Sequence, residues 1–184
     1  MRILGIAGSL RRGSYNRALL EAARAQAPRS MTIEPFALDD VPLYNADLDA
    51  DGRRPVAVER LKKAVADAGA LLIATPEYNH TVPGALQNAI DWASRPGLKS
   101  PLAGKPVAIM GTSVGVAGTA RAQQQLKLVL MSTLALEMPH PGVLVGQAPE
   151  KFDASGALSH EPTRLFLVAF LNDLEVWVRR VGQS

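Results

Sequence analysis

Residues 2–16 read RILGIAGSLRRGSYN, and this stretch decides how the rest of the chain is interpreted. The mainly apolar run at 3–7 is long enough for one buried strand. It ends abruptly at Gly8-Ser9, and strongly helix-forming sequence begins after Asn16. The stretch therefore predicts a strand, a short polar loop and the N-terminus of a helix.

The polar loop carries groups that suit a phosphate. Ser9, Ser14 and Asn16 supply hydroxyls and an amide, Arg11 and Arg12 supply guanidiniums, and the helix start supplies free N–H groups. G-x-G-x-x-G and the lysine of a Walker-type loop are both missing, so a terminal phosphomonoester fits better than a pyrophosphate. The same residues would also suit an ordinary helix N-cap flanked by exposed arginines.

Composition is typical of one globular domain, which we expect to span residues 1–184. Hydrophobic residues make up 47% of the chain, and the mean hydropathy is +0.05. The net charge is +3, but the basic residues are scattered and aromatic residues are only 5%, so we expect no nucleic-acid partner.

Several classes of site and location are disfavoured by the sequence. Cysteine is absent, which excludes disulfides and thiol nucleophiles, and His80, His140 and His160 are too widely separated to suggest a metal site. Polar residues interrupt the N-terminal apolar run early, and the longest apolar run, 165–171, is too short to span a bilayer. We therefore expect a cytoplasmic protein with no membrane partner and no metal.

Apolar runs alternate with helical patterns five times along the chain. This alternation predicts an α/β fold with an open parallel sheet covered by helices on both faces. Five units favour the flavodoxin-like three-layer sandwich with strand order 2-1-3-4-5. Pro35 indicates an edge strand, and the continuous apolar run at 70–74 indicates a central one. The predicted strands are 3–7, 31–36, 70–74, 106–110 and 143–145; the helices begin near residues 17, 55, 84, 120 and 162, and the fourth runs to Glu137.

Three loops follow the first, third and fourth predicted strands and are rich in polar residues, glycine or proline. We call them the first loop (8–16), the second loop (75–80) and the third loop (111–118). Because the carboxyl ends of parallel strands meet at one edge of a sheet, the three loops are expected to form one binding site.

Two of these loops carry a family resemblance. Residues 8–16, GSLRRGSYN, resemble the GSLRxxSxN phosphate loop of the NADPH-dependent FMN reductase family. Residues 76–92, PEYNHTVPGALQNAIDW, are similar to its PEYN…P…LKNAIDW signature almost throughout. Shorter similarities lie at 42–48 and 120–123, whereas the chain from about residue 140 carries no distinctive motif.

The resemblance implies a flavodoxin-like flavoenzyme. Family members pass a hydride from NADPH or NADH through FMN to quinones, free flavins, azo dyes, nitroaromatics or chromate. The resemblance implies ping-pong kinetics, small-molecule electron acceptors as partners, and a homodimer or homotetramer. Since the cofactor supplies the reactivity, no catalytic acid–base residue is expected.

The resemblance also implies which residues contact FMN. The phosphate would be held by Ser9, Arg11, Ser14 and Asn16, with the backbone of Tyr15. The isoalloxazine would be lined by Pro76, Glu77, Tyr78 and Asn79. Its pyrimidine edge would be approached by Ser113 and Gly115, while N–H groups of the third loop would stabilise the reduced ring. Val116 departs from the family, because several members have glycine there.

Parts of the sequence are also compatible with three other functions. Residues 111–115, GTSVG, match the G-x-S-x-G elbow of serine hydrolases, and Asp153 and His160 follow in the required order. A flavodoxin-type electron carrier would share the fold, although such carriers are often acidic. A flavin-free interaction domain is disfavoured by the intact residues of the first loop. The apolar surfaces of the last two helices could either pack on the sheet or form an oligomer interface.

Overall fold

The computed structural model describes residues 1–49, 53–139 and 142–182, so His140 lies outside the described residues. Its strands are β1 Arg2–Ala7, β2 Thr32–Phe36, β3 Ala70–Ala74, β4 Pro106–Thr112, β5 Leu136–Glu137 and β6 Val143–Val145. Its α-helices are α1 Tyr15–Ala25, α2 Val56–Asp67, α3 Gly84–Ala93, α4 Ala120–Ser132 and α5 Glu161–Val181. All strand pairings are parallel, in the order β2-β1-β3-β4-β5, and β6 also pairs with β4. The predicted flavodoxin-like order is confirmed.

The sheet separates two hydrophobic layers. Helices α1 and α5 pack on one face, and α2, α3 and α4 pack on the other. Side chains of β3 alternate between the layers, with Leu72 facing α1 and α5 while Leu71 and Ile73 face the opposite layer. Every residue of β3 is buried, as predicted for a central strand, and β2 with its Pro35 lies at the edge.

Two short strands occupy the fifth position of the sheet. Strand β6 was predicted, but β5 lies within the segment predicted as the end of the fourth helix. That helix instead stops at Ser132, since Thr133 hydrogen-bonds back to the Leu130 carbonyl and Leu134 adopts φ 63°. Leu136 then donates its N–H to the Lys105 carbonyl and joins β4. Sheet pairing therefore overrides the helical pattern in this segment.

The apolar residues of α4 and α5 do not all pack on the sheet. Leu128 and Met131 on α4 are 64% and 67% exposed, and Leu165 and Phe166 on α5 are also exposed. The buried residues of α4 are Ala122, Gln123, Leu126 and Leu130. The apolar residues of these two helices are therefore divided between the sheet and the exposed surface.

Candidate functional site

The three loops meet at the carboxyl edge of the sheet and enclose a cleft of about 180 Å³. The cleft brings together nine of the eleven residues that the sequence pointed to, the exceptions being Asn79 and Gly115. Its lining is Ser9, Arg11, Ser14, Tyr15, Asn16, Pro76, Glu77, Tyr78, Thr112, Ser113 and Val114. Asn79 follows Tyr78 in the second loop, and Gly115 follows Val114 in the third.

The first loop ends in a capped helix. Ser14 is the N-cap of α1, and its hydroxyl oxygen accepts hydrogen bonds from the N–H groups of Asn16 and Arg17. Ser9 is buried, and its hydroxyl accepts the N–H of Arg11 at 3.4 Å. The Arg11 side chain is exposed. The N-cap interpretation is thus correct for Ser14, and the cap leaves its hydroxyl proton free to be donated to an anion.

Arg17 supports the first loop from outside, a role that the sequence analysis missed. Its Nε donates to the Ser9 carbonyl at 3.1 Å and its Nη2 to the Leu10 carbonyl at 3.3 Å. The same nitrogen lies 3.1 and 3.2 Å from the two carboxylate oxygens of Asp39. The sequence does contain one indication of this role. Arg17 lies in the first turn of the helix that follows the loop, close to loop carbonyls that need hydrogen-bond donors.

The side chains of Tyr15 and Asn16 are held by residues outside the first loop. The Tyr15 ring packs 5.4 Å from the Phe152 ring, centroid to centroid, which leaves its backbone at the helix start. The Asn16 side chain is buried and bonds to Thr112, on the third loop. This arrangement agrees with a backbone role for Tyr15, and it makes Asn16 a link between loops.

Glu77 joins the second loop to the start of α4. Its carboxylate accepts the N–H groups of Arg121 at 2.9 Å and Ala122 at 3.1 Å, as well as the Arg121 guanidinium at 3.1 Å. The N-cap residue of α4, Thr119, makes no side-chain capping bond, so Glu77 fills that role from a distant strand end. Burial opposes ionisation, but the Ala122, Arg121 and His80 hydrogen bonds prevail and lower the Glu77 pKa.

The second loop forms a tight turn that is held on α4. Asn79 and His80 adopt φ values of 51° and 64°, which non-glycine residues rarely do, and Tyr78 and Thr81 form a bridge across the turn. Gln125 of α4 bonds to the Thr81 hydroxyl and donates to the His80 carbonyl. The turn is therefore held both by its own bridge and by Gln125. On the side of the first loop, the Tyr78 hydroxyl lies 3.1 Å from the Ser9 hydroxyl.

Main-chain donors of the third loop are only partly available. The N–H of Thr112 is donated to Asn16 and that of Ser113 to the Val145 carbonyl, which excludes both from the predicted role at the reduced ring. Within the described ranges, the N–H groups of residues 114–117 make no hydrogen bond. These four residues are exposed, and Val114 among them lines the cleft. Ser113 Oγ bonds locally to the Gly115 carbonyl.

Two further features of β4 bear on the cleft. Thr112 is one of the residues that line the cleft, and its buried hydroxyl finds no partner among the residues that the structure describes. At Gly111 a Cβ would lie 2.4 Å from the Thr75 carbonyl oxygen, so only glycine allows these strand ends to approach. An unpartnered buried hydroxyl in a ligand cleft fits a polar ligand atom.

The serine hydrolase arrangement is not assembled. His160 contacts Thr163 and Lys151, while Asp153 accepts hydrogen bonds from Ser155 and Ala157. In the described part of the chain, no hydrogen bond joins Ser113, Asp153 and His160. The same part holds no cluster of three or more potential metal-ligating side chains, and no helix in it is long and apolar enough to cross a membrane.

The sheet order defines the class, a flavodoxin-like α/β protein, and its three loops form one cleft at the carboxyl edge of the sheet. A model of the NADPH-dependent FMN reductase family matches residues 1–150. An NAD(P)H-dependent FMN reductase of Pseudomonas aeruginosa is 46% identical over 98% of this chain and 97% of its own length. A 2-hydroxy-1,4-benzoquinone reductase of a Burkholderia species is 41% identical over 97% of each chain.

A solved structure agrees with these relatives. The flavoenzyme NAD(P)H:(acceptor) oxidoreductase FerB of Paracoccus denitrificans superposes with a TM-score of 0.88, at 37% identity over 97% of each chain. The chain belongs to the NADPH-dependent FMN reductase family. It is accordingly an oxidoreductase whose cofactors are FMN and NAD(P)H, and the family resemblance found in the sequence is confirmed.

Proposed function

We propose that this enzyme transfers a hydride from NAD(P)H through FMN to quinones and similar acceptors, and that the three-loop cleft is where it does so. The observation that carries the proposal is that phosphate-type and ring-type residues share one cleft. The names of the Burkholderia relative and of FerB, a quinone reductase and an acceptor oxidoreductase, support this acceptor class.

The first loop would hold the FMN phosphate. Ser9 and Ser14 offer hydroxyls, Arg11 offers an exposed guanidinium, and Tyr15 offers main chain at the positive end of the α1 dipole. These donors are the kinds that a phosphomonoester dianion needs around one point. The donor set therefore fits the cofactor that the family uses.

The second and third loops would flank the ring. Pro76, Glu77 and Tyr78 line the cleft from the second loop, and Ser113 and Val114 line it from the third. Asn79 and Gly115, the next residues along each loop, would extend these two sides. Bound FMN supplies the hydride acceptor and donor at its ring. The protein's part is to orient that ring, exclude water from one face and direct main-chain N–H groups at developing negative charge.

Reduction of a quinone to a hydroquinone takes up a proton as well as the hydride, and solvent at the open face can supply it, so the protein needs no catalytic acid or base. Glu77 is committed to α4, and the second loop has no free carboxylate at the cleft among the described residues. Exposed Val114 and half-exposed Tyr78 leave the outer face accessible to NAD(P)H and then to the acceptor. A single face used in turn by two substrates gives ping-pong kinetics.

Anaerobic titration and steady-state kinetics test the proposal. The purified protein should bind FMN, be reduced by NAD(P)H without oxygen, and give parallel double-reciprocal plots when NAD(P)H and a benzoquinone are varied. An electron carrier would bind FMN but would not turn over without a separate reductase. Failure to bind FMN on reconstitution would end the proposal.

We further propose that residues 1–184 form one cytoplasmic domain that assembles as a homodimer or homotetramer. A groove of about 440 Å³ between the ends of α3 and α4 supports an interface. Leu98 and Leu134 line the groove and are exposed, and Leu128 and Met131 lie nearby on α4. Exposed apolar side chains of this size on adjoining elements are typical of interaction surfaces.

A further inference from the structure

We propose that Asn16 is a positioning residue, which fixes the distance between the phosphate end and the ring end of the cleft, rather than a ligand of the phosphate. The inference rests on the proposed function, since it takes the first loop as the phosphate site. The side chain of Asn16, a residue of the first loop, hydrogen-bonds to Thr112 of the third loop.

The contact is a two-point grip on main chain. Asn16 Nδ2 donates to the Thr112 carbonyl at 2.8 Å, and Asn16 Oδ1 accepts the Thr112 N–H at 3.0 Å. Both polar ends of the amide are therefore engaged by one residue that lies 96 positions away in sequence. Asn16 is 3% exposed, so water does not compete for these bonds.

The Asn16–Thr112 hydrogen bonds connect loops that follow two non-adjacent strands. Strand β3 lies between β1 and β4, so the first and third loops leave strands that are not neighbours. With roughly 4.8 Å between adjacent strands, the two strand ends are separated by roughly 10 Å. Asn16, on the first turn of α1, reaches across the end of β3 and joins the two loops directly.

Asn16 thereby acts on FMN through the spacing of two subsites. A ligand held at both ends gains from the effective concentration of its second half only when the subsites match its length. Without the amide, each subsite keeps its own donors, but their separation is no longer fixed. Binding of the whole cofactor is then weakened, while binding of its parts is not.

The test measures three ligands on the apoprotein of Asn16→Ala: FMN, lumiflavin as the ring alone, and inorganic phosphate. Flavin fluorescence follows the first two, and calorimetry follows phosphate. The FMN dissociation constant should rise at least about tenfold. This is part of the affinity that a ligand gains when its two ends bind two subsites at once. The constants for lumiflavin and for phosphate should stay at their wild-type values.

Asn16→Leu gives the second variant if the alanine protein does not fold. It keeps the approximate size and shape of the side chain and adds no charge, but it can make neither bond to Thr112, so it should weaken FMN binding in the same way. The matched control is Asn88→Ala, since Asn88 grips main chain similarly, accepting the Tyr44 N–H at 2.8 Å and donating to the Pro42 carbonyl at 2.9 Å. That variant should lower the melting temperature without changing the FMN constant.

The outcomes separate this inference from the proposed function. Wild-type protein that does not bind FMN would overturn both. Normal wild-type binding with an unchanged FMN constant in both Asn16 variants would overturn the positioning role alone. A loss for phosphate or lumiflavin as large as that for FMN would make Asn16 a local ligand and would equally overturn it.

Discussion

Arg11 in the first loop and Arg17 at the start of α1 differ in whether their guanidinium groups already have hydrogen-bond partners. Arg17 is paired with Asp39 and with two carbonyls of the first loop, so its charge is already used in holding that loop. The Arg11 guanidinium is exposed at the cleft and has no hydrogen-bond partner in the part of the chain that the structure describes. Arg11 is therefore the arginine placed to meet a ligand anion.

Arg11→Ala should weaken FMN binding by about 1–3 kcal/mol, the scale of a lost charge-assisted hydrogen bond. Titration of the apoprotein with FMN measures the change. Arg29→Ala removes an exposed charge before β2 and serves as the control, with no expected effect. Equal affinity of the Arg11 variant and wild type would remove Arg11 from the site.

Thr112→Val tests the unpartnered hydroxyl of the cleft. The substitution keeps the branched shape that suits the strand and removes a buried polar group with no partner among the described residues. We expect the free energy of unfolding of the apoprotein to be unchanged or higher, and FMN binding to weaken by about 1 kcal/mol. A loss of apoprotein stability with unchanged FMN affinity would show that the hydroxyl serves the fold instead.

The first loop could be predicted from its residue types, whereas the contacts of Asn16 and Arg17 that hold it in place could not. The serines, arginines and asparagine of residues 8–16 can be recognised because their types and spacing suit an anion. The partner of Asn16 lies 96 residues away, and Arg17 acts through carbonyls that any loop possesses. Such contacts depend on tertiary placement, which a single sequence does not specify.

At the scale of elements, the second loop and helix α4 behave as one unit. Glu77 caps α4 and Gln125 of α4 holds the turn that contains Asn79 and His80, whose positive φ values cost energy. The surrounding bonds offset that strain. The position of Tyr78 at the cleft thus depends on a helix that starts more than forty residues later.

Glu77→Gln should change how stability depends on pH. The folded protein holds the Glu77 pKa below its ordinary value of 4.5, so ionised Glu77 stabilises the fold above that value and the benefit is lost as pH falls through the lowered pKa. We expect the variant to be less stable at pH 7 by about 1–2 kcal/mol, with a smaller fall in stability below pH 4.5.

Chemical denaturation from pH 7 to pH 3 provides the measurement. Glu161→Gln, which breaks an exposed ion pair with Arg164, is the control and should change little at any pH. Parallel stability curves for wild type and Glu77→Gln would show that the carboxylate is not ionised in the way described.

Strands and helices were predicted correctly where the sequence pattern was compatible with only one kind of element. The buried run of β3 and the proline of β2 located a central and an edge strand correctly. The predicted end of α4 was wrong, because Leu134 and Leu136 continue an apolar pattern, whereas the Lys105 carbonyl just before β4 pairs with the Leu136 N–H and draws that segment into the sheet. Helical periodicity contains no information about that partner.

At the scale of the whole molecule, the exposed apolar residues around the α3–α4 groove support an interface between copies of the chain. Leu128→Glu combined with Met131→Glu should shift the protein to a monomer in light scattering after size exclusion, because buried charges without partners oppose association. Val56→Glu, at another exposed apolar position, should leave the assembly unchanged. An assembly that tolerates both glutamates, or wild-type protein that is already monomeric, would contradict an interface on this surface.

The order of the sheet could be predicted because five alternating units and right-handed crossovers leave few arrangements. The convergence of the three loops followed from that order. Assembly could not be predicted in the same way, since apolar residues at helical spacing suit either a sheet or another subunit. The structure separates the two sets by burial, as Leu126 is buried and Leu128 is exposed.

A crystal structure of the protein grown with FMN would show directly whether the three-loop cleft holds the cofactor. We expect the phosphate at the N-terminus of α1, within hydrogen-bond distance of Ser9, Arg11 or Ser14, and the ring between the second and third loops. Electron density that placed the phosphate away from the first loop, or the ring outside the space between Tyr78 and Ser113, would contradict it.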